Sequence, residues 1–332
     1  MAVGTTALLA IASLFHYTKV FASDLADSAP YAVVGGKSVQ NPLQVALLYW
    51  YPANLTARFG VGGQPVALAF DGESMWVSNY LDNTISKLRT SDGYAVNQTY
   101  AVGTNPTGIA FDGVNIWVAN SSANTVTELR ASDGSFIRTV NTVGTAPEQV
   151  TFDGTSLWVT NALSNTVTKV AAADGTVQLI LHVGNFPVGA ACDGSNIWVA
   201  NSGSNTLSKI RIATGVVVQT VTVGQAPSQV AFDGTNIWAT NSSGNSVTKV
   251  QANNGTVLGT FSVGSTPAGL AFDGASMWIA NSGDNTVTKL RASDGACGGT
   301  CTFTVQGTPS AVAFDGAHVW VTNRGSNSIS KL

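Results

Sequence analysis

The chain has 332 residues and few charged side chains, and these two facts already narrow its class. Charged residues make up 10% of the sequence, hydrophobic residues 44%, and there are 35 glycines. This balance excludes a disordered chain, which combines high charge with few apolar residues. The formal net charge of −3 leaves no basic footprint for nucleic acid. No apolar run reaches the roughly 18 residues that a membrane helix needs.

The N-terminus carries an apolar run over residues 7–15, followed by Val20-Phe21-Ala22. Val20 at −3 and Ala22 at −1 suit signal peptidase, so we expect a signal peptide over residues 1–22 and an extracytoplasmic protein: periplasmic, secreted or at the cell surface. A wrongly chosen start codon or an ordinary buried segment is the alternative, because no Lys or Arg precedes the run. Residues 23–53 form an N-terminal extension to which we assign no place.

From residue 65 onwards one unit is repeated seven times. An Asp-Gly pair recurs every 40–42 residues, and each unit carries a Pro before the pair and a Trp after it. The Asp residues are Asp71, Asp112, Asp153, Asp193, Asp233, Asp273 and Asp315. The Trp residues are Trp76, Trp117, Trp158, Trp198, Trp238, Trp278 and Trp320. The Pro residues are Pro65, Pro106, Pro147, Pro187, Pro227, Pro267 and Pro309.

Each unit divides into four short β-prone runs. In the third unit these are residues 149–152, 157–161, 165–170 and 177–183. Asp153-Gly154 separates the first two runs, and Asp-Gly is typical of type I′ hairpin turns because both residues tolerate positive φ. Four antiparallel strands repeated about every 40 residues are the signature of a propeller blade. The sequence therefore predicts an all-β protein, a seven-bladed β-propeller of four-stranded antiparallel blades.

The seventh unit has only three such runs, at 310–314, 319–323 and 328–332. Residues 54–62 match the fourth-strand pattern of 256–264, so we expect an N-terminal strand to join the last blade and close the ring. The predicted propeller thus spans residues 54–332. Residues 45–51 (VALLYWY) are expected to cover an edge or face of the ring. The run 215–223 (GVVVQTVTV) is interpreted as a strand buried on both faces.

A tetrapeptide recurs in several units. It reads Trp158-Val159-Thr160-Asn161 in the third unit, Trp320-Val321-Thr322-Asn323 in the seventh, and Trp-Val-Ala-Asn in units two and four. This repeated tetrapeptide resembles the bacterial and archaeal YVTN β-propeller family. The resemblance covers residues 54–332 and implies a secreted or surface-exposed propeller with no agreed activity.

The units are also similar, more distantly, to virginiamycin B lyase propellers, and this implies a catalytic His and a metal site of carboxylates and polar residues. The chain departs from that pattern: His182 and His318 lie outside the expected top-face loops, and Asn replaces the Glu of the lyase pattern in all seven units. Those residues are Asn79, Asn120, Asn161, Asn201, Asn241, Asn281 and Asn323. We therefore predict no catalytic residue, metal or cofactor from this resemblance.

Side chains that recur in every unit are interpreted as structural, because a single site has no reason to recur seven times. We expect each turn Asp to cap its own hairpin rather than to join a ring of cation ligands. Each Trp should be core rather than an aromatic platform. Third-strand Lys residues, with Glu128 in the second unit, are expected to mark solvated outer rims. These lysines are Lys87, Lys169, Lys209, Lys249, Lys289 and Lys331.

The three cysteines receive two interpretations. Cys192 replaces a Phe at a core position and is expected to be a small buried hydrophobe. Cys297 and Cys301 flank Gly298-Gly299-Thr300, a spacing that permits a disulfide across a small loop. A metal site would need two more soft ligands nearby.

Ligand contacts are expected where the units differ, around the mouth of the central channel. The candidates are Tyr80, Asp82, Glu148, Gln149, Phe186, Ser228, Gln229 and Arg324. Glu148 is the sole carboxylate in the two positions after the seven crossover prolines. It could bind a cation, an amine or a sugar hydroxyl, and the alternative is a solvated rim carboxylate.

The sequence therefore favours a non-enzymatic binding or structural module, exported and monomeric. Its partner would be a protein, a glycan or a small molecule, and not nucleic acid. The alternative is a lyase or hydrolase that uses the same face of the ring, and a stoichiometric divalent ion in the purified protein would favour it.

Overall fold

The computed structural model describes residues 31–34, 37–40, 57–95, 99–141 and 144–332. The chain divides into two units, residues 1–56 and 57–332. In the first unit, strands β1 (Tyr31–Val34) and β2 (Lys37–Gln40) pair as an antiparallel hairpin. The expected signal peptide and residues 45–51 lie outside the described residues.

Seven four-stranded antiparallel sheets form the second unit, which confirms the predicted seven-bladed propeller. The strands in chain order are β3 (Ala57–Gly60), β4 (Pro65–Phe70), β5 (Ser74–Asn79), β6 (Thr84–Arg89), β7 (Tyr100–Ala101), β8 (Pro106–Phe111), β9 (Asn115–Asn120), β10 (Thr125–Arg130), β11 (Phe136–Val140), β12 (Pro147–Phe152), β13 (Ser156–Asn161), β14 (Thr166–Ala171), β15 (Val177–His182), β16 (Pro187–Cys192), β17 (Asn196–Asn201), β18 (Thr206–Arg211), β19 (Val216–Thr222), β20 (Pro227–Phe232), β21 (Asn236–Asn241), β22 (Ser246–Gln251), β23 (Val257–Ser262), β24 (Pro267–Phe272), β25 (Ser276–Asn281), β26 (Thr286–Arg291), β27 (Thr302–Thr304), β28 (Pro309–Phe314), β29 (Val319–Asn323) and β30 (Ser328–Lys331). A 3₁₀ turn, Arg324–Ser326, links β29 to β30.

The last blade is completed from the other end of the propeller, as the repeat count predicts. Strand β3 pairs antiparallel with β30, and Phe59 is opposite Ile329. Phe59 also packs against Trp320, with ring centroids 5.8 Å apart. The ring is thereby closed and β30 has no open edge. Residues 54–56 of the predicted donor strand lie outside the described residues.

Each crossover proline is the first residue of an innermost strand, where its missing N–H costs no ladder hydrogen bond. The Asp-Gly turns differ from the type I′ turns that the sequence predicts. Gly234 has φ of +93°, whereas Asp233 is not among the positive-φ residues. Instead, Asp233 Oδ1 accepts the N–H groups of Thr235 and Asn236, at 2.9 and 2.6 Å. The Asp therefore shapes the turn with its side chain, as expected of a capping residue.

The same carboxylate anchors the core Trp of its blade. Asp233 Oδ2 accepts the indole N–H of Trp238 at 2.8 Å, and all seven units repeat this bond. Six of the seven tryptophans are 0% exposed, which confirms them as core, and Trp278 is 8% exposed. Burial of one Trp contributes about 4–6 kcal/mol as an upper estimate.

The hydrophobic core consists of seven clusters, and each lies between two adjacent blades. In one of them, Trp76 and Ile85 of the first blade pack with Ile109 and Leu129 of the second. The cluster around Trp320 and Met75 joins the seventh blade to the first. A single blade leaves both faces apolar, so its stability depends on both neighbours.

The expectation of solvated rim residues is wrong for five of the six third-strand lysines, which each donate to a carbonyl of the next blade. Lys289 is the exception, with a side chain that is 37% exposed. Lys209 is 7% exposed, its Nζ lies 5.1 Å from the centroid of Trp198, and it donates to Ala252 O of the next blade at 2.6 Å. Lys87 and Lys249 make the equivalent bond at 2.7 Å. These side chains are cross-links between blades, because the ammonium group finds a carbonyl and an aromatic face that replace water.

Glu128 breaks this pattern and brings its own counterion. It is 1% exposed, and its Oε2 lies 2.6 Å from Arg138 Nε, directly across strands β10 and β11. Asn115 donates to its Oε1 at 2.8 Å. Burial raises the pKa of Glu128 above its ordinary value, and the charge of Arg138 works in the opposite direction. The blade thus compensates for a reversed charge in the core.

Strand β19 also differs from its prediction. It is the outermost strand of the fourth blade, and its residues alternate between exposed and less exposed instead of being buried on both faces. Val216 is 55% exposed and Val218 40%. The apolar run therefore faces solvent on one side.

Candidate functional site

A cavity of about 520 Å³ lies in the central channel, lined by the innermost strands and by loops of one face. Its lining includes Tyr80, Ser121, Glu148, Gln149, Ser228, Gln229 and Arg324. Six of the eight residues that the sequence singled out therefore meet in one cavity. Asp82 and Phe186 are not part of its lining. The remaining lining residues are mostly small or apolar, among them Gly108, Ala190 and Leu270.

Glu148 is the one carboxylate in this lining, and it follows directly after Pro147 at the start of β12. It is half-buried and accepts a hydrogen bond from Ser121 Oγ at 3.3 Å. Burial raises the pKa of Glu148, and the Ser121 hydrogen bond works in the opposite direction. No cationic side chain lies within 4 Å of it in the described part of the chain. A carboxylate in this environment is a candidate for ligand binding.

Two glutamines extend the polar surface from the third blade to the fifth. Gln149 Nε2 donates to Val150 O at 3.2 Å, which leaves its Oε1 as an available acceptor. Gln229 Oε1 accepts the N–H of Val230 at 3.1 Å, so its Nε2 is an available donor. Ser228, by contrast, bonds to Thr240 Oγ1 at 2.9 Å and belongs to the contacts between strands.

Arg324 provides the positive charge of the lining. Its Nη2 and Nε donate to Gln64 Oε1 at 3.0 and 3.3 Å, and its guanidinium lies 5.6 Å from the ring centroid of Tyr80. These two contacts come from the first blade, whereas Arg324 belongs to the seventh. The planar guanidinium is thereby held at the seam where the ring closes.

Asp82 and Phe186 have roles in the loops rather than in the cavity. Asp82 Oδ2 accepts the N–H of Gly63 at 2.7 Å, and Ser164 and Ser204 accept equivalent crossover N–H groups. Phe186 has φ of +52° and, like the six other residues that precede crossover prolines, its backbone is left-handed. Its side chain is 43% exposed.

Two residues of the site escaped the sequence analysis. Ser121 contacts Glu148 from the neighbouring blade, and Gln64 holds Arg324 across the ring seam. Both are ordinary polar residues in loops, so the repeat pattern gives no signal for them. Only the curvature of the ring brings each one to its partner.

The structure shows where the residues that depart from the lyase pattern lie. The seven Asn side chains at the lyase Glu position are 0% exposed. Asn161, for example, donates to Thr166 and Thr168 within its blade. His318 Nδ1 lies 3.6 Å from Asp315 beside the first hairpin turn. Within the described residues, no three His, Cys, Asp or Glu side chains form a group that could hold a metal ion.

Two further features concern the cysteines and the question of a membrane helix. Cys297 and Cys301 form the expected disulfide, and Cys192 is a free, half-buried thiol whose pKa is raised by burial. The described part of the chain contains no helix that is long and apolar enough to cross a membrane.

The fold and the cavity define a seven-bladed β-propeller with a polar site at its channel mouth. Its fold is similar to a streptogramin B lyase structure (TM-score 0.70, 18% identity, covering 83% of this chain and 96% of that one). It is also similar to virginiamycin B lyase from Staphylococcus aureus (0.69, 18%, covering 83% and 98%) and to Kuenenia stuttgartiensis hydrazine synthase (0.69, 18%, covering 84% and 97%). At this identity the likeness establishes the fold alone.

No protein-family model matches the sequence, and no curated protein matches it. Membership of the YVTN family therefore stays a prediction that the repeat motifs support.

Proposed function

We propose that this protein is a binding propeller whose ligand occupies the channel-mouth cavity. One observation carries the proposal: Glu148 projects into the cavity lining without a cationic partner, although burial disfavours its charged form. A protein retains such a group at a cost in stability, and a ligand that supplies the missing partner explains why it is kept.

The test is a thermal-shift screen with three probe classes: divalent metal ions, alkylammonium compounds and neutral sugars. Compounds that raise the melting temperature would then be titrated against Glu148→Gln. The matched control is Glu73→Gln, which makes the same change at an exposed turn outside the cavity. We expect binding to weaken at least tenfold in Glu148→Gln and to be unchanged in the control. Equal binding to both variants, or no binding by any class, would contradict the proposal.

A lyase or hydrolase that uses the same face is the second candidate, and the fold similarity to the streptogramin B lyase favours it. Another structure with this fold is a catalytically inactive virginiamycin B lyase with quinupristin. Incubation of this protein with quinupristin and Mg²⁺, followed by mass spectrometry, tests that activity directly. A product that forms with wild type would replace the binding proposal by the enzymatic one.

We also propose that the protein is exported and monomeric. The apolar N-terminal run and the disulfide support export, because structural disulfides are typical of oxidising compartments. Expression of residues 1–22 fused to a reporter would test whether they act as an export signal. Light scattering would test the oligomeric state.

A further inference from the structure

The two charged groups of the cavity lining lack the oppositely charged partners that other charged side chains of this propeller have. Glu128 is paired with Arg138 at 2.6 Å, and Lys87 has Asp71 at 3.5 Å and a backbone carbonyl at 2.7 Å. Glu148 has one neutral hydroxyl at 3.3 Å. Arg324 has no carboxylate within 4 Å in the described residues and is held by a neutral amide and a ring. The cavity lining thus holds a half-buried carboxylate and an exposed guanidinium, and neither has an oppositely charged partner within 4 Å in the described part of the chain.

These two charges do not neutralise each other, because no ion pair within 4 Å joins them in the described residues. Arg324 contacts Gln64 and Tyr80 at the seam with the first blade, whereas Glu148 contacts Ser121 of the second blade. A molecule that satisfies both must carry a cationic and an anionic group.

Arg324 is prepared for an anion. Its Nε and Nη2 are engaged by Gln64, whereas its Nη1 has no hydrogen-bond partner within the described residues. The Tyr80 ring, whose centroid lies 5.6 Å from the guanidinium, gives it a second contact. A carboxylate can therefore be bound without further ordering of the side chain, which reduces the entropic cost of binding.

The lining of the same cavity also offers groups that match an amide. Gln149 presents a free acceptor and Gln229 a free donor, and both line the same cavity. A peptide unit offers one donor and one acceptor, which is the complementary pair.

Resting on the proposed binding function, we infer that the ligand is a short peptide with free termini. Its ammonium group pairs with Glu148, its carboxylate with Arg324, and its amides with Gln149 and Gln229.

Calorimetric titration with unblocked oligoglycines of two to five residues tests this inference. Their spans run from about 7 to 17 Å, so affinity should peak at one length. At that length, acetylation of the amino end or amidation of the carboxyl end should each weaken binding about tenfold or more. Glu148→Gln should remove the effect of acetylation alone, and Arg324→Gln the effect of amidation alone. Arg130→Gln, at the exposed end of β10 and outside the cavity lining, is the control for the second variant.

The blocked peptides keep the test independent of how the variants fold, because they are measured on the wild-type protein. If blocked and free peptides bind equally, the peptide inference fails and the binding function stands. If no oligoglycine binds while an alkylammonium probe depends on Glu148, the inference fails in the same way. If no oligoglycine binds and none of the three probe classes of the thermal-shift screen binds, both proposals fail.

Discussion

The side-chain oxygen of Asn327 accepts a hydrogen bond from the backbone N–H of Gln64 at 2.9 Å, across 263 positions of sequence. Asn327 has φ of +49°, and the same left-handed Asn contacts the next crossover in every other blade. In those blades the side-chain oxygen that accepts the crossover N–H belongs to Asn83, Asn124, Asn165, Asn205, Asn245 and Asn285. The closing seam is therefore built with the same contact as the six interior seams.

Removal of the donor strand should open this seam. A chain that begins at Val61 loses β3 and the packing of Phe59 on Trp320. We expect a lower melting temperature and concentration-dependent association, because β30 then exposes an unpaired edge. Phe59→Ala in the full chain should cost about 3 kcal/mol without association. A truncated protein that stays monomeric with an unchanged melting temperature would show that β3 does not close the ring.

Glu128 and Arg138 of the second blade should contribute to stability as an energetically coupled pair. Arg138→Leu leaves a buried carboxylate and should lower the free energy of unfolding by about 2–3 kcal/mol. Glu128→Lys alone places two cations side by side and should also destabilise. The double variant reproduces the Lys169 and Leu179 pair of the third blade and should recover most of the loss. Denaturant titration of all four proteins gives the coupling energy, and additive losses would contradict this account.

Four turn aspartates with a lowered pKa should make the propeller sensitive to acid: Asp193, Asp233, Asp273 and Asp315. Burial works to raise the pKa of Asp233, but hydrogen bonds from Trp238 and the turn amides lower it below its ordinary value. A lowered pKa in the folded state gives stability above the unfolded pKa, which is lost as pH falls through the folded one.

Asp233→Asn removes this effect and brings an amide N–H against the indole N–H, so we expect a loss of about 2 kcal/mol at pH 7 that shrinks in acid. Asp294→Asn is the matched control, because Asn254 already fills the equivalent turn in the fifth blade, and it should change stability by less than about 0.5 kcal/mol. Equal losses in the two variants would argue against a special role for the Trp contact.

The pKa of Glu148 is shifted in the opposite direction to that of Asp233. Its pKa is raised in the folded state, so its ionised form opposes folding above that pKa. Glu148→Gln should stabilise the protein at pH 7 by about 0.5 kcal/mol, and the gain should vanish as pH falls below the unfolded pKa of Glu. Thermal unfolding from pH 4 to 8 measures this, and destabilisation at pH 7 would indicate a structural role for the carboxylate.

The disulfide closes a short loop between β26 and β27, so its contribution should be near the low end of the usual range. Cys297→Ser with Cys301→Ser should cost about 1–2 kcal/mol, and Cys192→Ala is the control without a cross-link. Thiol alkylation of protein from its native compartment should label Cys192 alone. Labelling of all three cysteines would contradict both the bridge and the proposed export.

The sequence alone determined the number of blades, the strand order and the source of the closing strand. Those properties follow from local chemistry repeated at a fixed interval: a Pro that begins a strand, an Asp that caps a turn and a Trp that must be buried. The strands of the third unit were predicted within two residues of their observed ends at β12 and β15. The sequence also identified Glu148, because an acid stands out where its six counterparts are neutral.

Only the tertiary structure decided which side chains contact a neighbouring blade and which remain exposed. Lys209 looks like a surface residue in sequence, and it is buried because the neighbouring blade supplies a carbonyl at 2.6 Å. Strand β19 looks like core, and it is half exposed because it is the outermost strand of its blade. Ser121 and Gln64 join the site for the same reason. Contacts between blades depend on the closure of the whole ring, and no local pattern contains that information.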